Sequence, residues 1–111
     1  MDRDDYFVVA YQVLKYLYDC LKRGTPPILS LLCGETFGIE ESYFEYILRT
    51  LKEDGYINGI AIFTVLGRIS PGVKVGREIE ITPKGIEYLQ DNTKFKKVKG
   101  TVKELIDLLP L

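Results

Sequence analysis

Glu78-Ile79-Glu80-Ile81-Thr82-Pro83-Lys84-Gly85-Ile86-Glu87-Tyr88-Leu89 changes period in its middle, and that change decides the fold. Up to Ile81 polar and apolar residues alternate, the two-residue repeat of a strand with one buried face. From Thr82 onward the spacing is helical. Threonine caps helix N-termini, Pro83 suits a first turn, and Ile86, Tyr88 and Leu89 share the packing side of a helix expected over 83–92. The strand needs a partner, and Tyr56-Ile57-Asn58-Gly59-Ile60-Ala61-Ile62-Phe63-Thr64-Val65-Leu66, rich in β-branched and aromatic residues, supplies one. Between them, 67–76 holds Gly67, Pro71, Gly72 and Gly76 and reads as a loop. The expectation is an antiparallel ribbon over about 56–81 leading into a helix.

Upstream, the spacing predicts three helices. The first runs from Asp4 to Arg23 with a buried stripe at Phe7, Ala10, Leu14, Leu17 and Leu21, and Gly24 ends it. Tyr6, Tyr11, Tyr16 and Tyr18 add a second apolar face, which implies packing on two sides or a partner. A short helix is expected at Ile28–Cys33, closed by Gly34. The third, from about Glu40 to Asp54, turns Phe44, Ile47, Leu48 and Leu51 inward and stops at Gly55. A last helix is expected over 94–109, with Phe95, Val98, Val102, Leu105, Ile106 and Leu109 at helical spacing. This order predicts an α+β chain, one domain over 1–111: a winged helix-turn-helix of three helices and a two-stranded β-wing, with additional C-terminal helices.

The stretch Ile81-Thr82-Pro83-Lys84-Gly85-Ile86-Glu87-Tyr88-Leu89 resembles the strand-to-helix junction of several winged-helix regulator families. More of the chain is similar to the small bacterial and phage-borne YjcQ family. The similarity is carried by Phe37-Gly38-Ile39-Glu40-Glu41 leading into Phe44, by Leu51-Lys52-Glu53-Asp54-Gly55-Tyr56-Ile57-Asn58-Gly59-Ile60, by the Thr-Pro-Lys-Gly junction, and by Lys97, Thr101, Val102, Lys103, Glu104, Leu105 and Asp107. The resemblance implies a winged-helix fold. The chain departs from the pattern in its longer apolar first helix, its longer loop at 67–76 and Pro110.

Composition narrows the chemistry. The chain has 111 residues, is 46% hydrophobic and 28% charged, and carries a net charge of −1, so overall charge points neither to a nucleic-acid coat nor to a membrane surface. The balance is uneven: residues 1–65 hold six basic and ten acidic side chains, and residues 66–103 hold nine and four. There is no histidine, which removes the commonest general base and metal ligand. Cys20 and Cys33 have no metal-site spacing and read as reduced, buried thiols. No secretory leader or membrane span is visible, and a cytoplasmic location is expected. Nucleotide, dinucleotide and hydrolase motifs are absent, so neither an enzyme nor a cofactor or metal site is expected.

What remains is recognition. In a DNA-binding helix-turn-helix the third helix enters the major groove. Ser42, Glu45, Tyr46, Arg49 and Glu53 lie opposite its buried stripe; of these, Ser42, Tyr46 and Arg49 are the candidate contacts. Residues 39–55 nevertheless sum to −3, so phosphate contact must come largely from the wing, through Arg68, Lys74 and Arg77. The partner expected is double-stranded DNA. The rival expectation is a non-catalytic adaptor that binds protein through the acidic third helix and the tyrosines. A homodimer through helix one and the C-terminal helix would use Tyr6, Tyr11 and Tyr18, a residue type enriched at interfaces.

Overall fold

Thr82 holds a strand-to-helix junction. In a computed structural model of the chain, which describes residues 5–92, its hydroxyl accepts a hydrogen bond from the Gly85 N–H at 3.1 Å and donates one to the Gly55 carbonyl at 2.6 Å. One side chain thus caps a helix and ties it to the end of another. Pro83 follows in the first turn, where its missing N–H costs nothing. Gly85 lets the backbones close up: a Cβ there would stand 2.5 Å from the Tyr56 carbonyl oxygen.

The elements are α1 (Asp5–Arg23), a 3-10 turn (Leu29–Leu31), α2 (Gly34–Phe37), α3 (Glu41–Glu53), β1 (Ile57–Phe63), β2 (Gly72–Ile81) and α4 (Pro83–Asp91). Among the described residues the architecture is therefore α+β, four α-helices with a two-stranded antiparallel sheet. The helix expected over 94–109 lies outside the described residues.

The middle of the chain corrects two expectations. The short second helix does not span 28–33. A 3-10 turn occupies Leu29–Leu31, and α2 begins at Gly34, where a helix end was expected. Gly34 N–H donates to the Glu41 carboxylate at 2.7 Å, and a Cβ on Gly34 would meet the Ile39 carbonyl oxygen at 2.5 Å. The glycine is there for close approach rather than as a stop. Likewise, 72–76 is strand and the connecting loop is 64–71. Gly72 sits under Phe63, whose ring would be 2.6 Å from an added Cβ, so the aromatic covers the backbone that glycine leaves bare.

Strand pairing begins with Ile57 opposite Ile81 and Asn58 opposite Glu80, then resumes with Ile60 opposite Val75 and ends with Phe63 opposite Gly72. Between the two registers, Gly59 alone faces residues 76–79, a wide bulge in β2. Gly59 crosses so near the bulge that its absent Cβ would stand 2.4 Å from the Ile79 Cα, at φ +95°.

The core lies around α1, which packs against α3, α4 and β2. Two-sided packing is thus the use of its double apolar face. Val13, Leu14, Tyr16 and Leu17 are fully buried, with Phe44, Ile47, Leu48 and Leu51 of α3 and Ile57, Ile79, Ile81 and Leu89 beside them. Phe7 (44% exposed) and Leu21 (51%) do not belong to the buried stripe as expected. The buried sector widens instead through Val9, Val13, Tyr16 and Cys20, the neighbours of Ala10, Leu14 and Leu17 at 100° per residue.

Candidate functional site

On α3, Ser42 stands three and four residues before Glu45 and Tyr46, and these stand four and three before Arg49, so the four share one outward side of the helix. The Arg49 guanidinium lies 5.2 Å from the centre of the Tyr46 ring, a cation–π contact that holds the cation against the helix. Tyr46 is 46% exposed, and its other edge meets Tyr6 of α1 at 6.2 Å.

The 64–71 loop comes to this side. The Arg68 Nη2 contacts the Glu45 carboxylate at 3.2 Å, the Ser70 hydroxyl at 3.2 Å and the Pro71 carbonyl at 3.4 Å. A surface ion pair of this kind contributes roughly 0–1 kcal/mol. Its consequence is positional: one guanidinium nitrogen closes the loop on itself and sets it against the middle of α3. The turn Val65-Leu66-Gly67-Arg68 is completed by the Arg68 N–H donating to the Val65 carbonyl at 3.1 Å, with Gly67 at φ +82°, the type II pattern.

Two of the acids that made α3 look hostile to phosphate have structural partners, Glu41 on the Gly34 N–H and Glu45 on Arg68. Lys74 points outward from the ribbon opposite Ala61. No acidic residue occurs between Asp54 and Glu78. The structure thus brings Ser42, Tyr46, Arg49 and Arg68 together and puts Lys74 on the same ribbon. Arg77 is placed differently. It lines a cleft of about 320 Å³ with Leu17, Cys20, Leu21 and Thr25 at the C-terminal end of α1.

Sequence reasoning missed the tip of the loop. Leu66 is 97% exposed, Ile69 is fully exposed, and Phe63 and Ile62 lead up to them. The signal was available: branched apolar residues flanking Gly67-Arg68 in a turn have no core to enter.

The tyrosines divide. Tyr11 is only 3% exposed and lies in the core, so it is not a surface for a second copy; the two-sided packing of α1 has already used it. Tyr6 shares a 2.7 Å hydrogen bond with Thr50 Oγ1, and burial raises its pKa. Tyr18 lies beneath the Lys22 ammonium, 4.3 Å from the ring centre. Both Cys20 and Cys33 are free thiols; Cys20 is buried, which pushes its pKa up and leaves less of the reactive thiolate, while Cys33 is half-buried. Among the described residues no three His, Cys, Asp or Glu side chains are grouped to hold a metal ion, and no helix is long and apolar enough to cross a membrane.

Residues 11–108 match the family described as "YjcQ protein". A Bacillus subtilis (strain 168) protein named "Uncharacterized protein YjcQ" is 29% identical over 99 residues, covering 89% of this chain and 92% of that protein. No solved structure matches the chain.

Proposed function

The chain belongs to the YjcQ family, and on that premise we propose that it is a winged-helix module that binds duplex DNA and regulates transcription. The observation that carries this reading is the Arg68–Glu45 contact, which sets a loop free of acidic side chains beside the outward side of α3. In such a complex α3 lies in the major groove, with Ser42 and Tyr46 toward base edges and sugar and Arg49 on phosphate, and the ribbon follows the backbone through Arg68 and Lys74. The pair of half-buried Arg49 and exposed Tyr46 offers both a cation and a stacking surface. Arg68 reaches phosphate by exchanging Glu45 for a stronger anion, which its 40% exposed side chain permits.

The test is anisotropy of a labelled duplex from about 50 to 200 mM salt, where affinity should fall steeply as counterions are released. Arg49→Ala and Lys74→Ala should each reduce the slope by about one unit. Absence of binding to any duplex at the lowest salt sinks the proposal. A second reading, an adaptor that binds protein without DNA, is favoured by one observation, the bare apolar tip at Leu66 and Ile69.

A further inference from the structure

In a regular strand, consecutive side chains leave on opposite faces. The bulge opposite Gly59 breaks that alternation, and Arg77, Glu78, Ile79 and Glu80 all line one cleft. Its opposite wall is the C-terminal end of α1, Leu17, Cys20 and Leu21, with Thr25, Pro26 and Pro27 closing the side. The cleft's volume, about 320 Å³, is at the lower end of small-molecule sites.

Three features of this cleft are unfinished. Leu21 is half exposed, an apolar wall left open to water. The Thr25 hydroxyl is the one buried side-chain polar atom among the described residues that lacks a hydrogen-bond partner, which is normally destabilising. Arg77, Glu78 and Glu80 surround the same space, yet among the described residues none of them forms an ion pair. Gly76 keeps the arrangement open, since its missing side chain leaves the space that the Glu78 carboxylate occupies.

We propose that this cleft binds a free amino acid with a branched apolar side chain. The guanidinium of Arg77 takes the carboxylate, for which its planar fork is suited, and Glu78 or Glu80 takes the ammonium. The hydrocarbon covers the half-exposed side chain of Leu21, and the Thr25 hydroxyl gains its missing partner. A ligand with only one charge would leave either the cation or both acids uncompensated. The inference stands on the cleft alone and does not depend on DNA binding.

Calorimetric titration of the full chain with L-leucine tests it. L-Leucine should bind at one site, and 3-methylbutylamine and 4-methylpentanoate, each lacking one charge, should bind at least about tenfold more weakly. Arg77→Ala should weaken L-leucine by a similar factor while leaving the unliganded melting temperature nearly unchanged, because Arg77 is exposed. Thr25→Val, which keeps the shape and removes the hydroxyl, should weaken it several-fold. The proposal is overturned if L-leucine shows no binding at millimolar concentration, if the singly charged analogues bind equally well, or if Arg77→Ala binds as tightly as the parent chain.

Discussion

Tyr16 shows how much a single side chain does inside α1. It is fully buried, and its hydroxyl accepts the Ile28 N–H at 2.9 Å, fastening the segment after Gly24 back onto the helix. Burial pushes its pKa up to about 12, against the hydrogen bond, which acts downward. In the unfolded chain a tyrosine titrates near 10, so the folded state keeps the proton to higher pH. The stability this contributes is whole below about pH 10 and is lost as pH rises toward 12. Burial raises Tyr6, Tyr11 and Tyr88 in the same direction. The urea midpoint should therefore fall between about pH 10 and pH 12. Tyr16→Phe should lower stability at neutral pH by about 1–2 kcal/mol, since Ile28 loses its acceptor, and should make the alkaline fall shallower. An alkaline fall of unchanged steepness in that variant would show that Tyr16 does not take part. At this scale the sequence was half legible: it marked the tyrosines as numerous on one helix, but not which of them the fold would consume.

At the scale of elements, legibility followed local chemistry. The α3 and α4 boundaries could be read within about two residues, helped by Gly55 after the end of α3 and by the Thr82 cap at the start of α4. The segment 28–38 could not, because a 3-10 turn and a four-residue helix are too short to show a period. The glycines of β2 misled for a related reason: Gly72 and Gly76 mark close approach by Phe63 and by Glu78, contacts between residues rather than propensities of one. Thr82 offers a measurable case of a legible signal. Thr82→Ala removes both the cap on Gly85 and the tie to Gly55, and should cost about 1–2 kcal/mol in urea unfolding. Thr82→Ser keeps the hydroxyl and should recover most of that loss. A serine variant as unstable as the alanine one would mean that the methyl group, not the hydroxyl, holds the junction.

For the whole molecule, what matters is which residues the fold makes neighbours. Sequence could nominate Arg49 and Arg68 separately; that Glu45 joins them depends on how the ribbon lies along α3, and that Arg77 leaves them depends on a bulge with no simple sequence mark. The same geometry leaves Leu66 and Ile69 bare at the tip of the loop, and these two residues separate the competing readings of function. Against duplex DNA, apolar side chains contact sugars or wedge at a base step, and neither contact releases counterions. Leu66→Ser with Ile69→Ser should therefore weaken duplex binding by roughly tenfold at every salt concentration, with the slope of log affinity against log salt unchanged. Arg49→Ala, by contrast, should change the slope itself. The double variant should also melt at the parent temperature, since neither side chain packs on the core. If the parent chain binds duplex and the double variant binds it equally well throughout, the tip faces away from DNA, and its exposure then has to be explained by a protein partner.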